Sequence, residues 1–168
     1  FVLQHLKETR ESPYFFSGVK LRENITFLDT LEQLCEFDFI IIAIPAQFVG
    51  NFVASIQGSL KTWVTFLNLS KGINNQTLQT PGDILAENLW GFSYHYAILS
   101  GGMIASELVE EKILWAQIGC KNTEISQKLQ QLFESRALKI SLSQDTKNIE
   151  LFGSLKNIFA LYMWYLEW

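Results

Sequence analysis

Cysteine is scarce in this chain, with Cys35 and Cys120 the whole supply. Two cysteines cannot build a disulfide scaffold or hold a metal unaided, so small buried thiols are the expectation for both. Neither His5 nor His95 sits in a metal-ligand pattern, and no metal is expected. Lys and Arg number 13 against 17 Asp and Glu, a formal charge of −4, and the cations do not cluster. That excludes the electrostatic footprint of nucleic-acid binding. No apolar run is long enough for a transmembrane helix, and charges interrupt the first twenty residues where a secretory signal would be apolar. A soluble cytoplasmic protein is therefore expected, in which the Asn-X-Ser/Thr sequences at Asn24, Asn68 and Asn75 carry no glycan. No Ser/His/Asp or Cys/His order stands out. What the chain does have is 48% apolar residues against 18% charged over 168 positions, enough to bury a real core.

The strongest local signal is Phe39 to Ile44, a β-branched and aromatic run ended by Pro45. It predicts a strand buried on both faces. Phe48, Val49, Phe52, Val53, Ile56 and Leu60 then fall on one helical stripe. Trp63 to Leu69 is a second strand, Gln76 to Asn88 a short helix with Pro81 near its start, and Tyr94 to Leu99 a third strand. A helical turn or two covers Ile104 to Glu110. Ile113 to Ile118 and Leu138 to Leu142 are further strands, separated by a helix with Ile125, Leu129, Leu132 and Phe133 on one face. The alternation predicts an α/β fold with right-handed crossovers and a mostly parallel sheet. From Thr146 the pattern becomes one long helix, which marks a domain boundary: residues 1–144 form one domain and 145–168 begin another.

In an open parallel sheet, ligands bind beyond the carboxyl ends of the strands. Three successive strands here run into Pro45-Ala46-Gln47-Phe48, Ser70-Lys71-Gly72 and Ser100-Gly101-Gly102. Lys71 puts a mobile cation where an anionic ligand would sit, and paired glycines let backbone N–H groups approach an anion. Each signal is an ordinary turn sequence alone; their agreement on one edge carries the weight. On the last helix Lys156 shares a stripe with Ile149, Phe152, Phe159, Ala160 and Met163. It either snorkels past apolar neighbours or is held in a semi-buried functional site. Gly153 and Ser154 thin the helix surface just before it. Glu107, Glu110 and Glu111 read as a solvated helix face, and the aromatic run from Phe159 to Trp168 as packing surface.

Several of these segments together resemble the NAD(P)-dependent glycerol-3-phosphate dehydrogenases: ETRESPYFFSGVKLRENI (Glu8 to Ile25), IIIAIPAQF (Ile40 to Phe48), NLSKGI (Asn68 to Ile73), LSGGMIASELVEEK (Leu99 to Lys112) and IELFGSLKNIFAL (Ile149 to Leu161). The resemblance implies an incomplete Rossmann-like domain, with helices on both faces of the sheet, followed by the first helix of an all-α substrate and dimerisation domain. It implies hydride transfer between NAD(H) or NADP(H) and dihydroxyacetone phosphate or sn-glycerol 3-phosphate in glycerolipid metabolism, by a cytoplasmic homodimer. Lys156 matches the general acid/base and Lys71 a lysine that contacts both substrate and cofactor. Asn157 accompanies Lys156 at the substrate, Gly101 is a substrate contact, and Phe48 and Ala105 are cofactor contacts.

The chain also departs from that pattern. Met103 stands where the family has Ser, Thr or Asn, and none of the ten glycines forms Gly-x-Gly-x-x-Gly. Against that resemblance, the first strand, the pyrophosphate turn, the ribose-reading strand and most of the helical domain are expected to be missing here, and this polypeptide alone is expected to be inactive. Two rivals remain: a non-catalytic remnant that binds a partner through an α/β fold, and a related dehydrogenase acting on another 2-hydroxy substrate.

Overall fold

The structure, a computed structural model, describes residues 1–166, in two compact units that divide after Gln33. The first unit contains helix α1 (Val2–Thr9), an antiparallel bridge between Glu11 and Lys20, and little buried apolar surface. Arg10, left-handed at the end of α1, organises it. Its guanidinium donates to the carbonyls of Leu21, Arg22 and Ile25 and lies over the Phe27 ring.

The second unit is built on a five-stranded sheet in sequential order: β1 (Phe39–Ile42), β2 (Thr65–Asn68), β3 (His95–Gly101), β4 (Leu114–Cys120) and β5 (Leu138–Ser143). β1, β2 and β3 are parallel, β4 reverses against β3, and β5 is parallel to β4. The fold is the expected α/β, mostly parallel, Rossmann-like arrangement. On one face, Ile40, Ile42 and Phe66 pack with α2 (Ala46–Ile56) and α3 (Pro81–Asn88). On the other, Leu67, Leu99, Ala116, Ile118 and Ile140 pack with Leu129 of α5 (Thr123–Phe133). A short α4 (Ala105–Val109) links β3 to β4. The long α6 (Thr146–Leu166) lies over β3 and β4.

Several expectations need correction. β1 is not buried on both faces: Ile41 is 50% exposed between buried Ile40 and Ile42, because α2 and α3 cover only the face that carries Ile40 and Ile42. Phe48 and Leu132 lie off the buried faces of their helices, and Cys35 is exposed while Cys120 is buried. α3 begins at Pro81, not Gln76, because the Asn74 side chain captures the Gln76 and Thr77 amides in a turn. Thr80 then caps the helix, accepting from the Asp83 amide while the Asp83 carboxylate accepts from the Thr80 amide.

Burial pushes the Asp83 carboxyl up, but bonds from Lys147 and Thr80 outweigh it and hold the group below its usual range. A depressed carboxyl stabilises the fold above its unfolded-state pKa and ceases to as pH falls through the folded value. Asp83→Ala should therefore cost about 1–2 kcal/mol at neutral pH in urea denaturation. The gap from wild type should narrow in acid.

Candidate active site

Because β1, β2 and β3 run parallel, their carboxyl ends share one edge of the sheet. Lys71 follows β2 there, and Gly101 closes β3. α6 reaches the same edge from the opposite one. Asp145 starts the helix by accepting from the Asn148 amide at 3.0 Å. The helix then runs along β3 at very close range, and two glycines permit it. A Cβ on Gly119 of β4 would lie 2.9 Å from Ile149 Cδ1 and 3.2 Å from Thr146 Cα, and one on Gly153 would lie 2.5 Å from Ser100 Oγ. The helix can sit this low only where side chains are missing, and that depth carries Lys156 to the strand ends.

There Lys156 lies near enough to Lys71 for the two cations to disfavour each other. Burial first, and the neighbouring Lys156 second, hold Lys71 below the ordinary lysine range. Among the described residues neither lysine forms an ion pair with a carboxylate. Two uncompensated cations from opposite halves of the chain are suited to an anion, or to an oxygen that gains negative charge.

Behind them is a buried polar network. Glu150, only 3% exposed, accepts through Oε1 from Asn68 Nδ2 (3.1 Å), the Gly82 amide (3.0 Å) and the Tyr96 hydroxyl (2.6 Å). Asn68 Oδ1 accepts from the Ser70 amide at 2.9 Å. Ser154 Oγ donates to the Glu150 carbonyl (2.9 Å) and accepts from the Gly72 amide (3.2 Å). Burial, with the Glu150 charge adding to it, pushes the Tyr96 hydroxyl far above the normal tyrosine range, so it stays a donor. A cavity of about 760 Å³ opens beside α6, lined by Ser100, Gly101, Gln117, Ser141, Phe152 and Lys156 among others.

The model of the family described as "NAD-dependent glycerol-3-phosphate dehydrogenase N-terminus" matches residues 2–126. The chain belongs to that family. Curated relatives include glycerol-3-phosphate dehydrogenase [NAD(P)+] of Nitratidesulfovibrio vulgaris strain DP4, 27% identical over 161 residues, which are 95% of this chain and 49% of that protein. The cytoplasmic glycerol-3-phosphate dehydrogenase [NAD(+)] of Oryctolagus cuniculus is 30% identical over 155 residues, 90% of this chain and 44% of that one. The chain thus spans about half the length of the curated relatives it matches. The glycerol-3-phosphate dehydrogenase of Coxiella burnetii superposes with a TM-score of 0.85 over 95% of this chain and 48% of its own; at 17% identity this likeness concerns the fold.

Against the pattern of the glycerol-3-phosphate dehydrogenase family, the expected site residues divide into groups. Lys156 and Gly101 line one cavity; Lys71, which burial and nearby Lys156 hold below the lysine range, is not among its lining residues. Phe48, 59% exposed on the first turn of α2, and Ala105, exposed at the start of α4, stand apart from that cavity. The Asn157 side chain lies outside the described residues. Met103 packs against the core cluster of β3, β4 and β5, which explains how an apolar side chain is accommodated there. The apolar stripe expected to embed Lys156 is not buried: Phe152, Phe159 and Met163 are all more than half exposed. Glu150 and Asn68 were not singled out as site residues. The available signal was a carboxylate on the same side of α6 as Gly153 and Ser154, where the helix meets the sheet.

Proposed function

We propose that this chain carries the acid/base half of a glycerol-3-phosphate dehydrogenase site, interconverting dihydroxyacetone phosphate and sn-glycerol 3-phosphate. The reading rests on one observation: at the carboxyl edge of the sheet Lys71 is held below the ordinary lysine range by burial and by nearby Lys156, and among the described residues no carboxylate pairs with either. Reduction of a ketone leaves negative charge on its oxygen and requires a proton there. Lys156 Nζ donates that proton, and the Lys71 cation stabilises the developing charge. In the oxidative direction the neutral Lys156 amine takes the hydroxyl proton, and Lys71 again opposes charge build-up. Gly101 borders the substrate, and Asn157 follows the acid/base on α6.

The residues at this edge fit a nicotinamide cofactor in part. Phe48 offers an exposed aromatic ring and Ala105 an exposed small residue, as contacts with a planar group require. NAD(H) or NADP(H), when bound, would accept or supply the hydride. α6 would then be the first helix of a substrate domain.

Dihydroxyacetone phosphate should protect Lys71 and Lys156 together from acetylation by acetic anhydride, read by peptide mass spectrometry. Exposed Lys61 and Lys128 should react unchanged. A non-catalytic remnant would show no paired protection, and that result at saturating ligand would overturn the proposal.

A further inference from the structure

We propose that Glu150 is a positioning residue whose buried carboxylate fixes the turn bearing Lys71 against the helix bearing Lys156. A carboxylate this buried is costly unless its oxygens are well bonded, and among the described residues no cation pairs with it. Glu150 instead collects donors from three elements on one oxygen: Asn68 at the end of β2, Tyr96 in β3, and the Gly82 amide in the first turn of α3. The positive end of α3 favours the negative charge there. The consequence falls on the two residues that flank Lys71. Asn68 passes the constraint to the Ser70 amide, immediately before Lys71. The Glu150 carbonyl holds Ser154, which grips the Gly72 amide, immediately after it. Both amides flanking Lys71 are thus tied to α6, the first through the Glu150 carboxylate and Asn68, the second through the Ser154 hydroxyl, and Lys156 lies less than two helical turns beyond Glu150 on the same rigid element.

This inference rests on reading Lys71 and Lys156 as one working pair, but its test needs no turnover. A short bis-aryl halide should crosslink Lys71 to Lys156 in the wild-type chain, with the product identified by peptide mass spectrometry. Glu150→Ala should lower the yield about tenfold, the consequence of losing a buried hydrogen bond and stranding its donors. Glu150→Gln keeps the accepting oxygen and should restore most of the yield. Asn68→Ala leaves the Tyr96 and Gly82 bonds in place and should still release the turn. Wild-type yield in Glu150→Ala and Asn68→Ala proteins that keep a native near-ultraviolet circular dichroism spectrum would overturn the proposal. Should both variants unfold, amide exchange in the wild-type chain decides. Ser70 and Gly72 should exchange about tenfold more slowly than Ile73 or slower still, and equal rates would overturn the proposal. Glu150-dependent crosslinking without protection by dihydroxyacetone phosphate would leave the positioning role standing and remove the functional reading.

Discussion

Lys156→Met should lower turnover of dihydroxyacetone phosphate with NADH about 10²- to 10⁴-fold in the protein that carries this chain, the usual contribution of a positioned proton donor. Methionine matches the length and apolar stem of lysine and cannot donate a proton, so α6 should remain seated. The same change should move Lys71 back toward the ordinary lysine range, because one of the two causes of its depression is gone while burial remains. The effect on stability has a definite sign. A lysine depressed in the folded state destabilises the fold while protonated, and the penalty fades as pH rises through its folded value toward the unfolded one. Wild-type stability should therefore climb over that alkaline window, and the climb should be shallower in Lys156→Met. Both lysines remain in contact with water, so this term stays below about 1 kcal/mol. Unchanged turnover in Lys156→Met would remove Lys156 from the chemistry.

Gly153→Ala should be damaging out of proportion to a single methyl group. In most helices alanine in place of glycine stabilises by about 1 kcal/mol. Here the new Cβ would lie 2.5 Å from Ser100 Oγ, and Ser100 is 8% exposed, with little room to turn aside. Overpacking of this kind costs about 1–3 kcal/mol and should outweigh the propensity gain. Relief by lifting α6 would also carry Lys156 away from the strand edge, so activity should fall together with the melting temperature. The collision identifies its own suppressor. Ser100→Ala leaves only a Cβ, 3.5 Å from the added methyl. The double variant should recover stability that neither additive bookkeeping nor helix propensity explains, and strict additivity in a double-mutant cycle would argue against this close contact.

The strand positions were legible because β-branched and aromatic runs bounded by turn residues leave few alternatives. The edge carrying Lys71 and Gly101 followed from them by topology alone. The start of α3 was not legible. Periodicity counts apolar side chains, whereas the boundary is set by Asn74 withdrawing two amides and Thr80 supplying a cap. Reversal of β4 against β3 escaped for a similar reason: a helix of five residues between them looks like a crossover in outline and is too short to be one in fact. Lys156 drew attention through a stripe whose aromatic members, Phe152 and Phe159, turn out exposed. What holds the lysine in place is the polar and glycine side of α6, where Glu150, Gly153 and Ser154 meet the sheet, and a count of hydrophobic positions passes over all three.

Because β4 turns back, β5 finishes at the margin remote from the lysines, and the chain must recross the sheet before it can deliver Lys156. It recrosses as a helix, so the delivery is metered. Lys156 lies ten positions beyond Thr146, about 15 Å at the helical rise. One residue inserted or removed along that span would swing the amine through roughly 100° and shift it by about 1.5 Å. A loop would absorb such a change; this segment works as a ruler, and its length should be among the least negotiable dimensions of the molecule.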